Sequence, residues 1–313
     1  MGETEYSEAL KLGKKEYRAR IAKGQFPYLP VLDEILSEAD IKTEQNMGLV
    51  QVPLDFVVGT STMGRTYSFA ANFMPILDEE TEFAVKWSNL SDAQMNEGIR
   101  DPIKAFEYMN RYYVLEGNKR VSVLKYFNAV SIPAIVTRKI PKLSDDYDVR
   151  LYYEYMKFNE ITGLCSVEFT KLGNADKLLS LVGKEGRWDD ETKEKFAKVM
   201  FDFSKVYNFR GGDRLDIKLG DAITVFMEVF GMDAMLEMSQ TEAEVKYPGT
   251  GLGETVSNEV TRGKAQDKSG AGSEKGTDKK ESVKLSYSSD PKEAQGCIFI
   301  SERAENICVA VFA

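Results

Sequence analysis

The residues best suited to chemistry lie in one short stretch where a predicted strand, a glycine turn and a predicted helix follow one another. The stretch runs from Arg111 to Phe127 and reads RYYVLEGNKRVSVLKYF. Gly117 permits a sharp turn, and Lys119 and Arg120 stand at the predicted helix start. The N–H groups of a helix N-terminus, its positive dipole end and these cations favour an anion. The sequence predicts a phosphate-binding turn, with a solvent-facing helix start as the alternative.

Two further polar residues flank this turn. Glu116, just before it, is the nearest carboxylate, which could hold Mg²⁺ or accept a proton from a substrate hydroxyl. Asn118 is expected to cap the helix and to present both a donor and an acceptor.

The chain has no histidine, which removes the usual general base, the usual zinc nitrogen ligand and every Ser-His or Cys-His pair. Cys165, Cys297 and Cys308 show no C-x-x-C spacing and are expected to be reduced, buried thiols. We therefore expect no zinc or haem. Catalysis would depend on carboxylates, Lys, Arg, Ser, Thr, Asn, Tyr or a bound metal.

The bulk composition narrows the class of protein. A chain of 313 residues with 42% hydrophobic content can form one large or two modest domains. The formal net charge of −9 argues against broad, sequence-independent DNA coating. The acidic start MGETEYSE does not resemble a signal peptide, and no apolar run approaches the roughly 20 residues of a membrane span. We expect a cytoplasmic protein without membrane contact.

Composition and periodicity divide the chain into five segments. We predict a helical N-terminal arm over 1–46, a small mixed α+β domain over 47–143 and a helical domain over 144–239. The arm is expected to pack on the α+β domain, with a separate binding element as the alternative. Ser, Gly, Lys, Glu, Asp and Thr dominate 240–292, which is typical of a disordered linker. Residues 293–313 read as strands of a truncated further domain.

Within the α+β segment, the apolar, β-branched run Gly48–Val58 predicts a strand. The spacing of Ser91–Gln94 predicts a capping box that begins a short helix ending at Gly98. Ile103–Tyr108 and Arg111–Leu115 are predicted to form a hairpin around a two-residue turn.

The helical segment contains two strong apolar patterns. Lys193–Tyr207 is amphipathic, and Asp221–Leu236 is rich in Met and Phe and is expected to be buried or interfacial. An aromatic cluster is expected to be core rather than a ligand platform; it comprises Tyr152, Tyr153, Tyr155, Met156 and Phe158. The glycine-rich Pro248–Gly253 lacks a preceding strand and a following apolar helix, so we do not interpret it as a nucleotide loop.

The order of motifs from Gly98 to Val136 resembles the ParB N-terminal/sulfiredoxin-like superfamily. The chain has GIRDPI at Gly98–Ile103, YVLEGNKR at Tyr113–Arg120 and SIPAIV at Ser131–Val136. The strand 50–58 and its loop are similar to the family's opening segment, where an arginine faces the ligand. Arg65 is the candidate for that role. The resemblance covers roughly residues 47–140.

This resemblance implies a small mixed sheet that binds a nucleotide or phosphoryl group on its G-x-x-R turn, with Mg²⁺ accompanying the nucleotide. The candidate ligand-binding residues are Arg65, Thr66, Gly117, Asn118, Lys119, Arg120 and Ser122. Glu116 is the candidate catalytic residue and Mg²⁺ ligand.

Asn118 departs from the family's enzymes. Sulfiredoxins carry a reactive cysteine at this position, so reduction of a sulfinic acid is not expected. Partition proteins carry a metal-assisting glutamate there, so binding of CTP is implied without its hydrolysis. The chain is also similar to ParB-like proteins with an E-G-N-K-R motif and a helical N-terminal arm.

The favoured function is a nucleotide-binding module, for CTP or ATP, that switches conformation or partners. One alternative is a phosphotransferase or nucleotide hydrolase that uses Glu116. Another is a DNA-binding protein or nuclease, supported by the basic residues of the N-terminal arm; these are Lys11, Lys14, Lys15, Arg18, Arg20 and Lys23. The last is a scaffold with a degenerate pocket. A homodimer is compatible with each of them.

Overall fold

The computed structural model describes residues 2–36, 41–184, 186–209, 211–215 and 217–244. The chain divides into two compact units, Met1–Val167 and Glu168–Ala313. The predicted linker from residue 245 onward, the predicted strands of 293–313 and the motif Pro248–Gly253 lie outside the described residues.

The first unit is built on a mixed five-stranded sheet of order β1-β5-β3-β4-β2. The strands are β1 (Ile41–Pro53), β2 (Val57–Thr60), β3 (Ile103–Tyr108), β4 (Arg111–Glu116) and β5 (Ser131–Pro141). Antiparallel pairs join β1 to β5 and β3 to β4, whereas β2–β4 and β3–β5 are parallel. Together with the helices, this sheet confirms the predicted α+β class.

The predicted hairpin is present, with Tyr108 opposite Arg111. Met109 and Asn110 both have positive φ, of 50° and 57°. Two consecutive residues with positive φ match the right-handed twist of the flanking strands, and Asn tolerates this conformation better than most residues. The turn therefore sets the register that carries β4 toward Gly117.

The strand predicted over Gly48–Val58 is divided in two. β1 begins at Ile41 and ends at Pro53, a 3₁₀ turn follows over Leu54–Phe56, and β2 begins at Val57. Pro53 has no N–H to donate, so pairing ends there. The strand also starts inside the segment that was predicted as the helical arm.

In the part of the first unit that the structure describes, five α-helices accompany the sheet: α1 (Gly2–Ala22), α2 (Leu32–Leu36), α3 (Glu82–Asn96), α4 (Asn118–Tyr126) and α5 (Tyr147–Thr162). The predicted capping box is wrong, because Ser91 is buried inside α3. Thr81 caps α3 instead, since its side chain accepts from the N–H of Ala84 at 3.2 Å.

Among the described residues, two apolar cores stabilise this unit. The first lies on one sheet face and includes residues from β1, β3, β4, β5 and α4, such as Val52, Ile103, Val114, Val121 and Val136. The second joins α1 to α3 and α4; it consists of Tyr6, Ala9, Leu10, Met74, Ala84, Trp87 and Val123. α1 therefore packs on the sheet-bearing unit.

A buried polar network joins the sheet to α5. The Glu107 carboxylate pairs with Arg138 and accepts from the Tyr152 hydroxyl at 2.8 Å. Arg138 also donates to Asn159 Oδ1 at 3.0 Å. α5 thus belongs to the first unit, although the sequence placed it in the helical domain. Tyr152, Tyr155 and Phe158 of the predicted aromatic cluster are buried there.

The second unit is helical over its described residues, with α6 (Asn174–Val182), α7 (Asp190–Phe209) and α8 (Leu219–Glu244). α8 is interrupted at Gly231, where φ is 80°, and extends beyond the predicted linker start at residue 240. The predicted apolar patterns are buried as expected, for example at Phe196, Phe203 and Phe226. No helix among the described residues is long and apolar enough to cross a bilayer.

Candidate functional site

The candidate site lies where two neighbouring parallel strands end. β2 and β4 pair in parallel, with Thr60 opposite Val114. The carboxyl ends of parallel strands meet at one edge of a sheet, and the segments that follow them lie close together. Here those segments are the 61–68 connection and the N-terminus of α4, which are the two parts of the chain that the sequence singled out.

Gly117 forms the turn between β4 and α4. It is the N-cap of α4, with φ 110° and ψ 18°, a conformation that favours glycine. A Cβ built on Gly117 would lie 2.5 Å from Ile103 Cγ2. The first intrahelical bond runs from Val121 N to the Gly117 carbonyl at 3.1 Å. The preceding amides therefore belong to the helix terminus that attracts anions.

Asn118 is the first residue of α4 rather than its cap. Its side chain is 7% exposed, and its Nδ2 donates to Thr60 Oγ1 at 3.3 Å. Thr60 Oγ1 in turn donates to the Val114 carbonyl at 3.1 Å. The Oδ1 of Asn118 is buried and has no hydrogen-bond partner among the described residues. Because buried acceptors are nearly always satisfied, this atom suits a donor from a ligand, water or hydrated cation.

A pocket of about 220 Å³ opens beside this turn. Its lining residues come from the 3₁₀ turn Met63–Ser68 and its neighbour, from α3, from the end of β4 and from the start of α4; they are Ser68, Phe69, Phe83, Leu115, Glu116, Gly117, Asn118 and Lys119. Phe69 and Phe83 meet edge to face with centroids 5.2 Å apart. Lys119 Nζ lies 4.6 Å from the centre of the Phe83 ring. One wall of the pocket is therefore aromatic and another presents a helix terminus with a cation.

Glu116 lines the pocket but is already paired. Its carboxylate lies 2.8 Å from Lys104 Nζ, and 59% of its side chain is exposed. The hydrogen bond and charge of Lys104 hold the pKa of Glu116 below its usual value. An ionised carboxylate suits a cation ligand better than a proton acceptor at neutral pH.

The fit to Mg²⁺ depends on the donors around Glu116. No group of three carboxylate or thiol side chains that could hold a metal is found among the described residues. Mg²⁺ that accompanies a nucleotide is commonly held by one or two carboxylates together with phosphate oxygens and water. Glu116 supplies one such carboxylate at the pocket, so the residues present fit that pattern.

The two predicted arginines have different outcomes, because the structure describes the side chain of Arg120 and not that of Arg65. Arg120 does not line the pocket, because its guanidinium donates to the carbonyls of Asp101 at 3.0 Å and Pro102 at 2.6 Å. It contacts the turn from outside the pocket, and its Nε would lie 3.4 Å from a Cβ built on Gly117. Arg65 lies in the 3₁₀ turn Met63–Ser68, and its side chain is outside the described residues. Its role in closing over a ligand stays a prediction.

The two hydroxyl candidates lie in the interior. Ser122 is fully buried and accepts from Trp87 Nε1 at 2.8 Å, so it joins α4 to α3 and does not face a ligand. This corrects its assignment as a phosphate-binding residue. Thr66 is also fully buried, and its Oγ1, like that of Ser61, has no partner among the described residues.

The sequence did not identify Ser68, Phe69, Phe83 and Leu115 as pocket residues. Phe69 and Phe83 precede Gly117 by more than thirty residues and approach it only through the tertiary fold. The closest signal was the loop after the predicted strand Gly48–Val58, where the family resemblance gave Arg65 and Thr66 as candidates.

Neither the known protein families nor the curated proteins include a match to this chain.

Proposed function

We propose that this chain is a ParB-like module that binds a nucleotide, CTP or ATP, or another phosphorylated ligand at Gly117–Arg120. The observation that carries the proposal is the left-handed glycine at the start of α4, facing a pocket that also contains Lys119. A helix terminus and an ammonium group together favour a phosphate over a neutral ligand. The motif order that resembles the ParB/sulfiredoxin superfamily agrees with this assignment.

The pocket walls support a ligand that carries more than phosphate. Phe83, backed by the buried Phe69, offers aromatic surface to an apolar or planar group, while the turn accepts the anion. The volume of about 220 Å³ is below the usual range for an enclosed, drug-sized ligand. We expect the phosphates to be held within the pocket and the rest of a nucleotide to extend beyond it.

The segments that the pocket joins support a switching role. Phe83 belongs to α3, Gly117 is the N-cap of α4, and Trp87 of α3 donates to Ser122 of α4. A ligand that contacts both helices stabilises one arrangement of the pair over others. Since α1 packs on α3 and α4, its docking would respond to the ligand.

The test is a thermal-unfolding panel with CTP, ATP, GTP and inorganic triphosphate, each with and without Mg²⁺. A ligand at 100 times its Kd stabilises the folded state by about 2.7 kcal/mol. We expect at least one nucleotide to raise the melting temperature and Lys119→Gln to weaken that rise. Lys42→Gln, an exposed lysine on β1, is the matched control. Absence of any shift at millimolar nucleotide would refute the proposal.

Phosphotransfer or hydrolysis is the second candidate, because Glu116 lies at the pocket beside the turn. In this role Glu116 would hold Mg²⁺ and Lys119 would contact the phosphates. Phosphate release by the wild type and by Glu116→Gln separates this activity from binding alone. Equal, background-level release by both proteins would exclude it.

A further inference from the structure

α1 presents a row of cations on its outward face. Lys11, Lys15 and Arg18 follow at i, i+4 and i+7, and Lys23 comes directly after the helix. All four are exposed, and none has a hydrogen-bond or ion-pair partner among the described residues. Between Ala9 and Phe26 the chain has six basic residues and one acidic residue, although the whole protein carries −9. This face is a positive region on an acidic protein.

The other two cations of α1 already have carboxylate partners. Lys14 pairs with Asp78 at 3.0 Å, and Arg20 pairs with Glu16 at 2.7 Å. The acidic Glu8 accepts a hydrogen bond from Tyr126. The cations of the outward face are therefore the ones available to bind an external anion.

The opposite side of α1 is buried in the protein. Tyr6, Ala9 and Leu10 are 1%, 0% and 6% exposed and pack into the second core. A helix that binds a lipid surface must insert its apolar face, and here that face is occupied. The cationic row is held in place on a packed helix, which favours a polyanion in solution over a membrane.

An exposed aromatic cluster lies near the C-terminal end of α1. Tyr28 contacts Tyr17 of α1, Phe26 and Tyr67, all edge to face, with centroids 5.4, 5.6 and 5.0 Å apart. Phe26 and Tyr67 are 52% and 56% exposed. Phe26 follows Lys23 by three residues, so the cluster lies beside the C-terminal end of the cationic row. Exposed aromatic rings beside unpaired cations suit stacked bases and phosphates.

We propose that this basic–aromatic surface, formed by Lys11, Lys15, Arg18, Lys23, Phe26 and Tyr67, binds single-stranded nucleic acid. The four cations contact successive phosphates, and bases stack on Phe26 and Tyr67. A duplex keeps its bases stacked on one another and cannot use these rings, so the surface selects single strands. The inference is independent of the phosphate pocket, since none of these six residues lines it.

The experiment measures fluorescence anisotropy of a labelled oligo-dT strand and of a duplex of equal length with the full chain, across a salt series. We expect the single strand to bind more tightly, with log K falling against log salt by about 0.7 for each phosphate contact. Lys15→Glu/Arg18→Glu should weaken binding and lower that slope. Phe26→Ala/Tyr67→Ala should weaken binding roughly five-fold or more with little change in slope.

Matched controls lie on β1 and after α4. Lys42→Glu reverses an exposed charge, and Leu49→Ala/Val130→Ala removes two exposed apolar side chains elsewhere. Both are expected to bind as the wild type does, and circular dichroism verifies that every variant is folded.

Several results would overturn the inference: no binding at low salt, equal loss in the control variants, or equal affinity for the duplex with no effect of the aromatic variants. Binding to phosphatidylserine vesicles in place of the oligonucleotide would also do so. Competition by a mononucleotide would place the strand in the pocket and reject this surface. Oligonucleotide binding without any nucleotide-induced thermal shift would leave this inference standing and reject the proposed pocket function.

Discussion

At the scale of single residues, Gly117 combines two requirements that only glycine meets. Its φ of 110° lies in the left-handed region, and Ile103 occupies the space that a side chain would need. Sequence reasoning identified the turn because a glycine between an apolar run and two cations is a local signal. It could not identify Ile103 as the neighbour, since that contact depends on the pairing of β3 with β4.

Gly117→Ala is expected to lower the free energy of unfolding by about 2–4 kcal/mol, from backbone strain plus the clash with Ile103. Gly98→Ala is the control, because Gly98 also has a positive φ, of 77°, but nothing lies within 4 Å of the added Cβ. It should lose about 1 kcal/mol. Urea denaturation of both variants provides the comparison, and equal losses would show that Ile103 does not restrict the turn.

The fold also depends on single residues at the buried ion pair of Glu107 and Arg138. Glu107 also accepts from the Asn110 N–H at 2.7 Å, so the carboxylate holds the hairpin turn as well as α5. Burial alone would lower the pKa of Arg138, but the charge of Glu107 and its hydrogen bond raise it overall. The guanidinium stays charged, and its removal leaves a buried carboxylate without a cation.

Arg138→Met should therefore destabilise the protein by about 3–5 kcal/mol. Lys139→Met removes the neighbouring, more exposed pair with Glu44 and should cost within about 1 kcal/mol. Equilibrium unfolding in urea measures both, and Glu107→Gln/Arg138→Met should recover part of the loss. A loss at Arg138 no larger than that at Lys139 would contradict this account.

At the scale of elements, two tyrosine hydroxyls hold α1 in place. Tyr6 donates to the Leu77 carbonyl at 2.7 Å, and Tyr126 of α4 donates to Glu8 of α1 at 2.7 Å. Burial raises the pKa of Tyr6 from 10.0 to about 12, and burial together with Glu8 raises the pKa of Tyr126 to about 12. Each hydroxyl keeps its proton in a range where the unfolded chain loses it.

The folded state then binds more protons than the unfolded state between pH 10 and 12, so the free energy of unfolding falls as the pH rises through this range. We expect Tyr6→Phe to cost about 1 kcal/mol at neutral pH and to flatten this alkaline fall. Urea denaturation at pH 8 and pH 11 compares it with Tyr67→Phe, whose ring is exposed. An unchanged pH dependence in Tyr6→Phe would reject this role.

The sequence predicted some helices and strands correctly and others wrongly. The hairpin and the amphipathic α7 follow from local patterns, and the structure confirms them. The capping box at Ser91 failed because a short-range motif was overruled by burial of Ser91 in a longer helix. Ser122 was assigned to the ligand for a similar reason: nothing near it in sequence shows that Trp87, thirty-five residues earlier, uses its hydroxyl.

At the scale of the whole molecule, the chain forms two compact units. The first holds the sheet, the pocket and the basic–aromatic surface, and the second buries residues such as Phe203 and Phe226 between α7 and α8. The boundary near Val167 lies after α5, whereas composition placed it near residue 143. The Glu107–Arg138–Tyr152 network is what joins α5 to the sheet, and it carries no local sequence signal.

A chain ending at Val167 is expected to fold by itself, because the sheet and both described cores consist of residues before Val167. Its unfolding should be cooperative, and its circular dichroism should retain the strand contribution. A fragment ending at residue 143 is the comparison and should be much less stable, since it lacks α5 and leaves Glu107 and Arg138 uncovered. Equal stability of the two fragments would contradict this boundary.

The two-residue turn at Met109–Asn110 has a consequence for the order of folding. β3 and β4 meet over a few residues of chain, whereas pairing of β1 with β5 joins residues as distant as Ile41 and Pro141. Local hairpins close in about 1–10 μs, and distant strands close later. Since Gly117 continues β4 directly, we expect the anion-binding turn to be organised early, with β1 completing the sheet afterwards. Substitutions in the hairpin should then slow folding, and those in β1 should mainly speed unfolding.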